Sequence, residues 1–272
     1  VAMPEEYLVG DATAQRLIFD ILQVDLWTDA PPSSTAPVQE EWWDTKNGGD
    51  RAVSGVSKPN LTVFFPDKAS ILTSAVVICP GGAYSRLAFD KEGTDIAKWL
   101  ARQGVVGVVL KYRTSENLAA ADDLLSDARQ ALRLTRQFSS KWGIDAQKVG
   151  IMGVSAGGHL AACASVHLGS DAPAFSVLLY PAVSMQKGLA HETSKTNLLG
   201  SNPPPQLEDR FSAELHVSSA TPPAILIHAA DDTAVIPDHS LLYFQALRKA
   251  GVPSALHVFH AGGHGSGMRK PE

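Results

Sequence analysis

Runs of consecutive apolar residues recur along the chain and predict strands that are buried on both faces. The runs are rich in β-branched residues and comprise LTVFF (61–65), AVVIC (75–79), VVGVVL (105–110), KVGIMG (148–153), FSVLLY (175–180), AILIH (224–228) and ALHVF (255–259). Most of them lack the alternation of apolar and polar positions that a half-exposed strand shows. The pattern therefore favours a mostly parallel sheet that is covered on both sides.

Segments of helical character lie between these runs. They cover residues 91–104, 120–143, 155–169 and 237–251, and each one ends at a glycine that can form a helix C-cap. Strands that alternate with helices in this way form a parallel sheet with helices on both faces. We therefore predict an α/β fold, built as one domain over residues 1–272.

Two regions depart from the alternation of strands and helices. The first 60 residues contain Pro, Gly and three of the five Trp without a long periodic run, and we interpret them as an N-terminal arm laid on the body. Residues 182–223 separate two predicted strands and are too long for an ordinary connection. We expect this second region to be a cap-like insertion over a site.

The charge and the cysteine content limit the possible partners. The chain has 23 Lys and Arg against 28 Asp and Glu, a net charge of −5, and no basic cluster that would indicate a nucleic acid partner. Its apolar runs are much shorter than the roughly 20 residues that cross a membrane, so we expect a soluble protein. Cys79 and Cys163 are interpreted as buried free thiols.

The N-terminus bears on the compartment. The sequence begins at Val1 and not at methionine, so we expect that a signal peptide or a start residue has been removed. A periplasmic or secreted location is favoured over a cytoplasmic one. The sequence gives no indication of the oligomeric state.

The stretch GVSAG (153–157) places Ser155 between small residues where a predicted strand passes into a predicted helix. This is the G-x-S-x-G pattern of a nucleophilic serine, whose sharp turn needs small neighbours because adjacent segments pass close to it. The bare pattern is common. Its position between a buried strand and a helix rich in small residues makes it informative.

A nucleophilic serine needs a base and a group that orients the base, and in this fold they follow the serine in the order acid, then histidine. Asp231 and Asp232 come directly after the strand AILIH, and we favour Asp232 as the acid. His264 lies in the glycine-rich loop HAGGHGSG after the last strand, and we favour it over His260, which abuts that strand.

The oxyanion of the reaction needs backbone donors. One is expected at Ala156, directly after the serine, and others at Gly82 and Ala83 in the loop that follows AVVIC. The predicted mechanism has His264 accept the proton of Ser155, which attacks an ester carbonyl while Asp232 orients the imidazole. No cofactor or metal is expected, and no H-E-x-x-H pattern indicates a zinc hydrolase.

With these residues identified, the chain resembles the α/β hydrolases, and more narrowly the bacterial carbohydrate esterases related to acetyl xylan and feruloyl esterases. The resemblance rests on DLWTDAPPS near residue 25 and on VSKPNLTVFFP, VICPGGAYSRLAFDKEG, VVLKYR, GVSAGGHLAA, TPPAILIHAADD and GGHGSGM. Related sequences read PGGGY where this chain has PGGAY, a change at Ala83 that should keep the donor. Residues 1–24 match nothing in the group.

The resemblance implies the same triad, and the removal of acetyl or other acyl groups from a polysaccharide such as xylan or from its fragments. Tyr84, Arg86 and Trp27 are candidate contacts for the sugar, and Trp42 and Trp43 are further exposed-aromatic candidates unless they fasten the arm to the body. Alternatives are a general short-chain carboxylesterase, a serine aminopeptidase of related fold, and a non-catalytic binding protein. A peptidase would need acidic groups for the peptide amine, and only Asp90 and Glu92 are near enough in sequence to the oxyanion loop to be considered.

Overall fold

The computed structural model describes residues 21–32, 39–45, 50–66, 72–117 and 121–267. Within them, the strands are β1 (Ile21–Asp25), β2 (Glu41–Asp44), β3 (Arg51–Ser54), β4 (Asn60–Phe64), β5 (Thr73–Cys79), β6 (Val106–Lys111), β7 (Ile144–Val154), β8 (Ser176–Leu179), β9 (Ala224–Ala229) and β10 (Ser254–Phe259). The α-helices are α1 (Asp95–Arg102), α2 (Asp122–Gln137), α3 (Ser139–Trp142), α4 (Ala156–His167), α5 (Glu192–Leu199), α6 (Pro205–Arg210) and α7 (Asp238–Lys249). A π-helical turn, Asp90–Thr94, precedes α1 directly.

Eight of these strands form one sheet in the order β1-β4-β6-β5-β7-β8-β9-β10. Strand β4 is antiparallel to both β1 and β6, and every other neighbouring pair is parallel. Strands β4 and β6 are buried at every position, in keeping with their mostly apolar sequences. The prediction of an α/β fold with a mostly parallel sheet is confirmed.

The first 60 residues contribute strands of their own. Strand β1 pairs with β4 and forms one edge of the large sheet, whereas β2 and β3 form a separate antiparallel hairpin. The hairpin is joined to the body by an isolated bridge between Val53 and Leu87. The part of the predicted arm at residues 1–20, 33–38 and 46–49 lies outside the described residues.

Trp27 follows β1 and contacts a buried ion pair. The guanidinium of Arg113 and the carboxylate of Asp127 lie 2.9 Å apart, and both side chains are excluded from solvent. The indole N–H of Trp27 donates to the same carboxylate at 3.1 Å. The indole N–H therefore links the end of β1 to Asp127 on α2 and adds a donor to a buried carboxylate, which would be costly to leave without partners.

The predicted insertion at 182–223 carries α5, α6 and a 3₁₀-helical turn, Ala213–His216. The side-chain amide of Asn197 on α5 donates to the carbonyl of Ala83 at 2.8 Å. The insertion therefore touches the loop after β5. Within the described residues, no helix is both long and apolar enough to cross a membrane.

Candidate active site

Ser155 lies at the sharp turn between β7 and α4, with backbone angles φ = 55° and ψ = −117°. A residue other than glycine rarely adopts a positive φ, and such strain is typical of the turn that carries a nucleophilic serine. Small neighbours are required here for space. A Cβ on Gly153 would lie 2.1 Å from the carbonyl oxygen of Gly157, and one on Gly157 would lie 2.0 Å from that of Cys79.

The variant Gly157→Ala is therefore expected to destabilise the protein by about 3 kcal/mol, because the new methyl group meets backbone atoms that cannot move independently. Gly158→Ala on the same helix is the matched control, since its Cβ would meet a ring carbon of Pro181 at 2.8 Å and needs a smaller shift. Chemical denaturation of both variants measures the difference. Equal stability of the two variants would contradict this account of the turn.

His264 and Asp232 complete a continuous hydrogen-bonded series with the serine. The Oγ of Ser155 lies 2.8 Å from Nε2 of His264, and Nδ1 of His264 lies 2.7 Å from Oδ2 of Asp232. The backbone N–H groups of Ala234 and Val235 donate to the other oxygen of Asp232, both at 3.0 Å. These two bonds fix the orientation of the carboxylate, which in turn orients the imidazole.

The neighbouring Asp231 has a different position. Its carboxylate accepts the backbone N–H of Gly263 at 2.7 Å and thereby holds the loop next to His264. His228 on β9 is a further neighbour that sequence reasoning missed. Its Nε2 lies 3.4 Å from Oδ2 of Asp232, and burial lowers its pKa, so that this histidine stays neutral.

The predicted oxyanion loop has an unusual backbone. Gly82, Ala83 and Tyr84 all have positive φ, at 137°, 52° and 66°. Within the described part of the chain, the amides of Gly82 and Ala83 donate to no recorded acceptor, which leaves them available for a ligand. The positive φ at Ala83 is a physical reason for the glycine that related sequences carry there. The amide of Ala156 is at the start of α4, where helix N–H groups lack partners within the helix.

One of the three predicted sugar contacts is corrected by the structure. Tyr84 is fully buried, and its hydroxyl hydrogen-bonds to Nδ1 of His159, so its side chain cannot reach a substrate. Trp27 donates its indole N–H to Asp127 on α2, and its part in sugar binding stays a prediction. Only Arg86 is exposed on the oxyanion loop, where its amide donates to the carbonyl of Gly82 at 3.2 Å.

Glu92 is a neighbour of the site whose position sequence reasoning did not predict. Its carboxyl is buried and accepts the N–H of Gly81 at 3.0 Å, directly before the predicted oxyanion loop. The hydroxyl of Tyr180 donates to its other oxygen at 3.3 Å. No sequence signal could have found the contact between Glu92 and Tyr180, because these two residues are 88 positions apart.

Among the described residues, no group of three or more His, Cys, Asp or Glu side chains is placed to hold a metal ion. The cysteine thiols are also unsuited to chemistry. Cys79 and Cys163 are both free and buried, and burial raises the pKa of each thiol far above its ordinary value. The chemically competent groups of this site are therefore its serine, its histidine, its carboxylates and its backbone amides.

Comparisons with known proteins agree with this architecture. Residues 94–272 match the model of the prolyl oligopeptidase family. An acetylxylan esterase of Xylanibacter ruminicola is 35% identical over 221 residues, which are 79% of this chain and 45% of that protein. Endo-1,4-beta-xylanase B of Butyrivibrio fibrisolvens is 30% identical over 76% of this chain and 34% of its own. The chain thus spans less than half the length of either relative.

The chain is also similar to a solved structure over nearly its full length. The crystal structure of an acetyl ester-xyloside bifunctional hydrolase from Caldicellulosiruptor lactoaceticus superposes with a TM-score of 0.76 at 35% identity. The superposition covers 90% of this chain and 88% of that one.

Proposed function

Because the chain belongs to the prolyl oligopeptidase family of α/β hydrolases, we propose that it is a serine esterase that removes acetyl groups from carbohydrate such as xylan or its oligosaccharides. The observation that carries the proposal is the series from Ser155 through His264 to Asp232, with hydrogen bonds of 2.8 and 2.7 Å. The similarity to proteins named for acetylxylan and acetyl ester-xyloside supports the substrate class.

In the proposed reaction, Nε2 of His264 accepts the proton of Ser155 as its Oγ attacks the carbonyl carbon of the ester. The carbonyl oxygen becomes an oxyanion, which the amides of Ala156 and of Gly82 or Ala83 stabilise. His264 then gives its proton to the leaving alcohol, and an acyl-enzyme remains on Ser155. Water, deprotonated by His264, then attacks the acyl carbon, and His264 returns this proton to Oγ of Ser155 as the bond between Oγ and the acyl carbon breaks and the carboxylic acid leaves. The mechanism requires no cofactor.

Contacts of the nearby carboxylates favour ester over peptide chemistry, although the matching family is named for a peptidase. Asp90 is bound to the guanidinium of Arg51 at 2.9 Å and to the hydroxyl of Thr94. Glu92 is occupied by Gly81 and Tyr180. Both carboxylates are buried, at 5% and 3% exposure, so neither presents its oxygens to the ammonium group of a peptide, which an aminopeptidase would need to bind.

Exposed groups beside the loop are the proposed contacts for the sugar. Arg86 remains a candidate, and strand β2 of the hairpin adds the exposed Trp42 and Trp43. The ring of Trp42 packs edge-on against Phe89 and lies beside the cationic groups of Arg51 and Lys111, which leaves Trp43 as the less occupied aromatic surface. A polysaccharide substrate would be encountered outside the cytoplasm, in keeping with the expected periplasmic or secreted location.

A substrate comparison tests the proposal. We expect acetylated xylo-oligosaccharide to be hydrolysed with a kcat/KM at least about tenfold above that for p-nitrophenyl butyrate, because contacts with the sugar lower the barrier beyond what the acyl group supplies. The panel also includes p-nitrophenyl acetate, p-nitrophenyl octanoate and methyl ferulate. Each rate is measured beside that of Ser155→Ala.

Hydrolysis of the simple esters with no activity on any sugar ester would replace the proposal with a general short-chain carboxylesterase. No serine-dependent hydrolysis of any ester would favour a peptidase or a non-catalytic binding protein. A preference for methyl ferulate would keep the carbohydrate esterase but change its acyl group.

A further inference from the structure

The buried carboxyl of Glu92 lies beside this site and has no task in the proposed mechanism. Its side chain comes from the π-helical turn before α1 and is 3% exposed. Burial raises its pKa, while Lys91, the N–H of Gly81 and His264 act in the opposite direction. A carboxyl in such a place is costly unless its contacts serve the fold or the chemistry.

Glu92 is in contact with the peptide that packs against the nucleophile. A Cβ added to Gly81 would lie 2.5 Å from Oε2 of Glu92 and 2.9 Å from Cβ of Ser155, so the Gly81 peptide fills the space between them. The Gly81 N–H donates to Oε2 at 3.0 Å. This bond fixes the residue that immediately precedes the oxyanion loop.

The second oxygen of Glu92 leads to the loop that carries His264. The hydroxyl of Tyr180 donates to Oε1 at 3.3 Å and accepts the N–H of Gly267 at 2.9 Å. The ring of Tyr180 also packs edge-on against the imidazole of His264, with centroids 4.9 Å apart. A continuous series of hydrogen bonds therefore joins Gly81 on the oxyanion side to Gly267 on the base side.

Tyr180 is held firmly in this bridging position. Its φ is 35°, a value that a residue with a side chain adopts only when its surroundings enforce it. The N–H of Tyr180 donates to the carbonyl of Ile227 at 2.7 Å, which ties the residue to β9. These backbone restraints fix where the side chain of Tyr180 begins, so that its hydroxyl lies between Glu92 and Gly267.

Each oxygen of Glu92 accepts a hydrogen bond, an arrangement that favours the ionised carboxylate. A Cβ on Gly265, the residue after His264, would lie 3.9 Å from Oε1 of Glu92, so the carboxylate lies beside the loop that carries the imidazole. Within the described residues, the other titratable or charged groups around that imidazole are Asp232, Asp231 and His228 from the β9 side, Tyr180 after β8, Lys91 on the π-helical turn and His191 from the insertion.

We propose that Glu92 is a positioning residue, which through Tyr180 fixes the oxyanion loop and the His264 loop relative to each other. Its charge also favours the imidazolium that forms as Ser155 attacks. The inference rests on the proposed esterase function. It assigns a role to a carboxylate outside the triad. Glu92 touches neither substrate nor the reacting atoms and acts through Gly81, Tyr180 and His264.

Three variants test the inference. Glu92→Gln keeps the size of the side chain and removes the charge, and Tyr180→Phe removes only the hydroxyl. Asp90→Asn is the matched control, since it removes a buried carboxylate from the same turn that is bound to Arg51 and not to the site. For each variant, kcat, KM and the pH profile for p-nitrophenyl acetate are normalised to active sites titrated with diethyl p-nitrophenyl phosphate.

We expect Glu92→Gln to lower kcat by about 10- to 100-fold with little change in KM, because the loss falls on the transition state. The acid-side midpoint of its kcat/KM profile should move to lower pH, since removing a negative charge disfavours the charged form of a nearby base. Tyr180→Phe should lower kcat by roughly tenfold without moving that midpoint. Asp90→Asn should lower the melting temperature and leave the midpoint in place.

A Glu92→Gln variant with the kcat and midpoint of the wild type would overturn the inference. So would a variant that loses thermal stability, as Asp90→Asn does, while its midpoint stays in place, because that result is purely structural. If Glu92→Gln does not fold, Tyr180→Phe decides alone, and a wild-type kcat in that variant overturns the positioning role.

The rate at which diethyl p-nitrophenyl phosphate labels Ser155 separates this inference from the proposed function. Labelling needs the serine, the base and the oxyanion donors but no ester substrate. A wild-type protein that is labelled but hydrolyses no ester would refute the esterase and still report the effect of Glu92. Equal labelling of wild type and Glu92→Gln, with ester hydrolysis intact, would refute the inference alone.

Discussion

Replacement of Ser155 by alanine is expected to lower kcat/KM for p-nitrophenyl acetate by at least about 10⁴-fold, because the attacking oxygen is removed and water must take its place without an acyl-enzyme. The Oγ has one recorded hydrogen bond among the described residues, to Nε2 of His264. Its loss leaves the packing of β7 and α4 unchanged. The melting temperature should therefore remain within about 2 °C of the wild type, as for a substitution that removes no packing.

Ser165→Ala is the matched control, since Ser165 is also buried on α4 and donates only to the carbonyl of Ala161 on its own helix. It should retain full activity. Residual hydrolysis by Ser155→Ala within tenfold of the wild type would remove Ser155 from the role of nucleophile. A covalent label that appears on the wild type and not on Ser155→Ala, detected by mass spectrometry, would identify the residue directly.

The second large effect is expected at Asp232, where asparagine should lower kcat by about 10³- to 10⁴-fold. An asparagine can present its NH₂ group to Nδ1 of His264, which forces the imidazole proton onto Nε2. The imidazole then has no lone pair facing Ser155 and cannot act as the base. The fold should persist, because the side-chain oxygen can still accept the N–H groups of Ala234 and Val235.

Asp231→Asn is the matched control for this prediction. The asparagine oxygen can still accept the N–H of Gly263, so kcat should fall by less than about fivefold. The two residues are adjacent in sequence and identical in type, and steady-state kinetics on p-nitrophenyl acetate distinguishes them. A larger loss in Asp231→Asn than in Asp232→Asn would show that the acid is Asp231.

Most of the large sheet could be predicted from the sequence because its central strands are buried on both faces. The runs at 75–79 and 105–110 correspond to β5 and β6, and the helical segment at 155–169 to α4. The candidate triad followed from the same physics. Loops after parallel strands gather at one edge of a sheet, so polar residues at those strand ends are brought together in space.

Other parts could not be predicted because their sequences carry no periodic signal. Strand β1 has the burial pattern of an edge strand, and both central residues of the hairpin strand β2, Trp42 and Trp43, are exposed. Tyr84 was misjudged for a different reason. The positive φ values of the loop turn its side chain into the core beside His159, and backbone angles of that kind cannot be inferred from residue type.

Glu92 illustrates the limit most clearly. A glutamate at the start of a predicted helix is usually a solvated residue that interacts with the helix dipole. Here the π-helical turn rotates it into the protein, where it meets a glycine 11 positions earlier and a tyrosine 88 positions later. Such long-range contacts follow from the assembled fold and leave no mark on the local sequence.

The hydrogen bond from Asn197 to the carbonyl of Ala83 has a consequence for protein engineering. Helix α5 belongs to the insertion between β8 and β9, whereas Ala83 belongs to the proposed catalytic loop. Transplanting this region from a related α/β hydrolase to change substrate preference would also withdraw a restraint from the peptide that is proposed to bind the oxyanion. Chimeras that retain an asparagine at this point should keep their turnover rate better than chimeras that do not.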